Sequence, residues 1–115
     1  MDNGINKIIG EFVSAVSRQT TGFTTAYVFG SYAKNMQKPT SDIDIALIFD
    51  QLNDNDRFDL QVQLILLASK FDFRIEPHPL SIEDFNAYTP FTSEIKKTGI
   101  EVKPMIPNNK NDLTT

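Results

Sequence analysis

Asp42 and Asp44 flank a single isoleucine and lead into an apolar run, Ile45 to Phe49. Side chains of an extended chain alternate between two faces, so both carboxylates project from the same one. Paired carboxylates repel, and a folded chain keeps them where a cation or a set of strong donors neutralises them. Upstream, a second apolar run, Tyr27 to Phe29, ends at Gly30-Ser31. Glycine permits close backbone approach, and free N–H groups at the start of a short helical segment would seat a phosphate. A phosphate cradle facing a carboxylate pair implies a site for a nucleoside triphosphate and Mg²⁺.

A third carboxylate comes from Phe71-Asp72-Phe73-Arg74-Ile75-Glu76, which reads as a strand stopped by Pro77 and Pro79. On that reading residues 72, 74 and 76 share one face, while Phe73 and Ile75 fill the core. Glu76 would meet Asp42 and Asp44 if the strands are neighbours; Asp72 is the alternative. Lys34 and Lys38 stand between the two halves of the motif, either as phosphate contacts or as solubilising loop lysines.

Gly30-Ser31 followed by Ser41-Asp42-Ile43-Asp44-Ile45, each half attached to an apolar strand, resembles the signature of the DNA polymerase β-like nucleotidyltransferase superfamily. The short chain is most similar to its minimal nucleotidyltransferases. The likeness continues through Ile75 to Leu80, Glu83-Asp84-Phe85 and Pro90-Phe91 to Lys97-Thr98-Gly99-Ile100-Glu101, and so covers about residues 20–102. It implies an α/β nucleotidyltransferase fold, a small mixed β-sheet with helices packed mainly on one face. The implied activity is transfer of a nucleoside monophosphate, AMP from ATP or its equivalent from another triphosphate, to a hydroxyl.

The resemblance also implies roles. Asp42, Asp44 and Glu76 would hold Mg²⁺ or Mn²⁺, with Glu76 as base, and Gly30, Ser31, Lys34 and Ser41 would contact the nucleotide. Minimal members pair with small helical HEPN proteins as antitoxin and toxin, which would make a partner tyrosine the acceptor. Two alternatives are a binding-only antitoxin module and a stand-alone small-molecule nucleotidyltransferase. Where many relatives have glycine this chain has Asn35, and asparagine tolerates the positive φ that a turn there needs.

Length, charge and composition bound these readings. The 115 residues leave room for one domain, expected over 1–102, and a tail over 103–115 rich in Pro, Asn and Thr. With no cysteine there are no disulfides or thiolate metal sites. A net charge of −4 argues against a general grip on nucleic acid. The N-terminus lacks the pattern of a signal peptide and no apolar run reaches membrane-spanning length, so a cytoplasmic location is expected.

The positioning elements follow from periodicity. Ile5, Ile8, Ile9, Phe12, Val13 and Val16 predict a helix ending near Arg18. Strands follow over 23–29 and 43–49, separated by a short helix at 31–35 and a loop at 36–41. The Asp/Asn-rich stretch 50–56 lacks the sixth-position glycine and terminal glutamate of a calcium loop and reads as a helix cap. Residues after Asp56 alternate like a strand yet also fit one helical face, and their length of about fourteen favours helix. Ser81 caps a helical turn, a second begins near Thr92 and ends at Gly99, and residues 100–102 form a last short strand. His78, the single histidine, reads as a structural or surface residue.

Overall fold

Apolar residues three and four positions apart at the start of the chain coil into α1 (Asn3–Gln19), which buries Ile9, Phe12, Val13 and Val16. The computed structural model describes residues 3–104; most of the expected tail, 105–115, lies outside the described residues. After α1 come β1 (Phe23–Phe29), β2 (Ile43–Phe49), α2 (Asp54–Ala68), β3 (Ile75–Ser81), α3 (Ile82–Asn86), α4 (Pro90–Thr98) and β4 (Ile100–Val102). The strands form one mixed sheet in the order β3-β2-β1-β4. β1 is antiparallel to both β2 and β4, whereas β2 and β3 run parallel, joined through α2.

Alternation along the central strands divides the interior. Ile43, Ile45, Leu47 and Phe49 of β2, with Ala26 and Val28 of β1, meet α1 and α2 in the larger core. On the opposite face Phe29, Ala46 and Ile48 form a smaller cluster with Ile95 of α4, flanked by Tyr27, Leu80 and Phe85. The two long helices therefore share one face, and the short α3 and α4 cover part of the other. Among the described residues no helix is long and apolar enough to cross a membrane.

Caps fall where the polar residues suggest. Asn53 accepts a hydrogen bond from the Asp56 N–H at the start of α2, and Ser81 does the same for Asp84 in α3. α4 starts at Pro90 rather than near Thr92, capped by Thr89, and gives way at Gly99 as expected.

Two expected elements differ. Residues 31–35 form a single hydrogen-bonded turn rather than a helix. Met36 N–H reaches Ser31 O, Asn35 N–H reaches Tyr32 O, and Asn35 closes the turn at φ 58°. The third strand spans Ile75–Ser81, not 71–76, and Phe73 is 89% exposed instead of filling the core. β3 is an edge strand, where proline is admissible because its missing N–H can point away from the ladder. The outward carbonyls of Pro77 and Pro79 accept hydrogen bonds from Gln61 and Arg57, one helical turn apart on α2. Residues 71–74 are held in a turn instead, where the Asp72 carboxylate accepts from the Arg74 backbone N–H and guanidinium.

Candidate active site

β2 and β3 start side by side, and their parallel register places Asp44 directly opposite Glu76. Both side chains belong to the face that also carries Phe29 and Ala46. His78 follows Glu76 by one full alternation and so points to the same side. Its Nε2 lies 3.2 Å from Asp44 Oδ1 and 3.3 Å from Glu76 Oε1. One ligand atom from each of the three falls within 4.8 Å of the others, about twice the 2.0–2.6 Å at which hard cations bind their ligands. The two carboxylates are hard donors of the kind that suit Mg²⁺ or Mn²⁺, and the imidazole adds a softer donor suited to later divalent ions such as Zn²⁺.

The imidazole is held by its neighbours. The His78 ring meets Phe29 edge to face at 5.1 Å and lies 6.0 Å from Phe91 of α4. Phe29 and Phe91 are themselves edge to face at 5.4 Å. This aromatic bracket fixes where Nε2 can point.

Gly30 closes the other side. β1 ends by pairing Phe29 with Asp44, and the chain then turns at Gly30 with φ +74°. A β-carbon there would stand 2.6 Å from Asp44 Oδ2. Glycine takes this backbone angle without strain and leaves room for the carboxylate.

The other motif residues are placed less tightly. Asp42 is exposed immediately before β2, one alternation ahead of Asp44 and outside the three-residue group. Ser31 is half-buried in the turn after Gly30. Ser41 receives the Lys38 N–H on its hydroxyl, which closes the loop leading to Asp42. Lys34 forms an ion pair with Glu94 of α4, and hydrogen bonding to that ammonium holds the Glu94 carboxyl below the usual range. Tyr32 is buried in the larger core, with its hydroxyl accepting from Arg74.

Asp72 does not join the group. Hydrogen bonds from Arg74 engage both its oxygens and depress its pKa. His78 does join it, although its sequence setting between two prolines suggested a structural or surface role. Its separation of two from Glu76 was the available signal, hidden by the expectation that Pro77 ends the strand. The carboxylate group lies on an open sheet face; a cavity of about 450 Å³ at the far end of β2, around Phe49, Asp50 and Leu60, contains none of the motif residues.

Solved structures share this architecture. A Sulfolobus solfataricus protein assigned to the nucleotidyltransferases superposes with a TM-score of 0.57 at 22% identity, over 88% of this chain and 86% of that one. A mutant of the MntA–HpeT toxin–antitoxin pair gives 0.55 at 23% identity, over 95% and 79%. A Shewanella oneidensis complex of tri-AMPylated HEPN toxin with MNT antitoxin gives 0.51 at 23%, over 89% and 71%. At such identities these likenesses speak for the fold alone. No curated protein sequence matches the chain significantly. The family model for the polymerase beta nucleotidyltransferases matches residues 11–104, most of the chain and all of the β1–β3 frame around Asp44 and Glu76. The chain thus belongs to the polymerase beta nucleotidyltransferase family.

Proposed function

We propose that this chain transfers a nucleoside monophosphate, AMP from ATP, to the hydroxyl of a partner protein in a divalent-metal-dependent reaction. The observation that carries this reading is the Asp44–Glu76 pair, facing across parallel strands with Gly30 turned against Asp44. Asp42, Asp44 and Glu76 would hold the metal, and His78 offers a further donor. When bound, Mg²⁺ or Mn²⁺ neutralises the carboxylates and polarises the phosphate oxygens.

The chain's own residues do the rest. Gly30 lets the triphosphate approach the backbone, and the Ser31 hydroxyl donates to a non-bridging phosphate oxygen. Lys34 reaches the phosphates by exchanging its present partner, Glu94, while Ser41, which accepts from the Lys38 N–H, still has its hydroxyl proton to donate. The acceptor oxygen attacks the α-phosphorus in line, the α–β bridging bond breaks, and pyrophosphate leaves. Glu76, exposed at the start of β3, takes the acceptor proton. Most of the rate gain is positioning and charge stabilisation.

An open site of this kind needs another surface to exclude water and align the acceptor. A small helical HEPN-type protein with a reactive tyrosine fits that need, in keeping with the toxin–antitoxin complexes among the structural neighbours. Incubation of such a partner with this chain, ATP and Mg²⁺ should add one adenylyl mass, or a small multiple, to the partner's intact-mass spectrum. A stable, silenced but unmodified partner would support a binding-only antitoxin instead. That second reading draws on the present engagement of Lys34 with Glu94. Adenylylation of a sugar or aminocyclitol would point to a small-molecule enzyme.

A further inference from the structure

α2 is apolar on two sides. Leu64, Leu67 and Ala68 enter the core, while Phe58, Val62, Ile65 and Leu66 lie on the opposite side, 75%, 40%, 49% and 62% exposed. With a rotation of about 100° per residue, these four lie around one line directed away from the core. Their spacing of four, three and one makes a continuous seam rather than scattered exposure.

From this seam we propose that α2 pairs antiparallel with α2 of a second copy of the chain, about a two-fold axis at Val62. Three of the four seam residues are self-complementary about that point. Antiparallel pairing sets Val62 against itself and Phe58 against Leu66, so apolar meets apolar there, while Ile65 falls opposite Asp59. Further out, Asn55 meets Ser69, and Asp54 meets Lys70. Asp54 is fully exposed, its contact with Arg57 long at 3.5 Å, while Arg57 binds Asp84 at 2.7 Å. Lys70 is exposed in the turn that follows α2, beyond the other end of the seam. The acidic first turn of one helix therefore meets a cation and the negative end of the other. A partner of different sequence would have no reason to reproduce this symmetry.

A helix of 15 residues is about 22 Å long, short of the area that tight dimers bury, so the association is weak and depends on concentration. The Asp44 face lies on the other side of the sheet, so pairing leaves both candidate sites open. The inference stands whether or not the proposed activity does.

Sedimentation velocity on the full chain should show a 13.0 kDa monomer giving way to a species of twice that mass as concentration rises. Leu66→Glu should weaken association at least tenfold with unchanged circular dichroism. Lys70→Asp should also weaken it, and Asp54→Lys with Lys70→Asp should restore it, which only the antiparallel register explains. The chain has no cysteine, so Val62→Cys should yield a disulfide-linked dimer on mild oxidation, while Glu83→Cys on α3 should not. A monomer at every concentration, an inert Leu66→Glu, or failure of the charge swap to restore pairing would overturn the proposal. So would capture of a different protein by α2 of a chain that remains monomeric.

Discussion

Asp44 is hemmed in from three sides: Glu76 across the strand pair, His78 Nε2 at 3.2 Å, and Gly30 at the turn. Such crowding gives Glu76 and Asp72 different fates although they are four residues apart. Glu76 faces the His78 imidazole at 3.3 Å and pairs with no lysine or arginine among the described residues, whereas both Asp72 oxygens are occupied by Arg74. Glu76→Gln should therefore lower transfer about 10²–10⁴-fold, the usual range for a positioned base, with nucleotide binding retained. Asp72→Asn should leave the rate within a few-fold, and paired rate measurements decide between the two. At this scale much was legible: asparagine at position 35 does carry the positive φ that its chemistry permits. The role of His78 was not, because its neighbours in space, Asp44, Phe29 and Phe91, come from three other elements.

β3 shows how an element can defeat a local rule. Pro77 and Pro79 were expected to end a strand, yet they occupy its middle because α2 supplies Gln61 and Arg57 to the carbonyls that no strand pairs. Sequence proximity gives no hint that β3 is an edge. The double reading of residues 58–64 likewise has a physical origin. Leu60 and Leu64 face inward and Phe58 and Val62 outward, so a helix apolar on both sides imitates strand alternation. Ahead of β3, the Asp72–Arg74 clasp sets the strand's entry. Hydrogen bonding to Arg74 depresses the Asp72 pKa, so its stabilisation is complete above the unfolded value of about 3.9 and is lost as pH falls through the folded one. Asp72→Asn should cost about 1.5–3 kcal/mol at pH 7, the range for a hydrogen bond to a charged group. Urea unfolding should show that difference shrinking as pH falls below the ordinary carboxylate range; a constant difference would mean the carboxylate charge contributes nothing.

At the scale of the molecule, the mixed sheet separates two jobs. One face carries the larger core under α1 and α2, and the other brings Asp44, Glu76 and His78 to the surface beside the β1 turn. The order of elements followed from periodicity, and the α/β class from the family resemblance that the paired motif carries. The parallel pairing that sets Glu76 opposite Asp44 is a property of the whole chain, fixed once α2 crosses from the end of β2 to the start of β3. The central claim is that these carboxylates serve a metal–nucleotide complex, and calorimetric titration with a non-hydrolysable ATP analogue, with and without Mn²⁺, tests it most directly. The native chain should bind the analogue at least tenfold more tightly with Mn²⁺, and Asp42→Asn and Asp44→Asn should each abolish that gain while remaining folded, because they relieve repulsion. Equal metal-dependent tightening in the native chain and both variants would contradict the account.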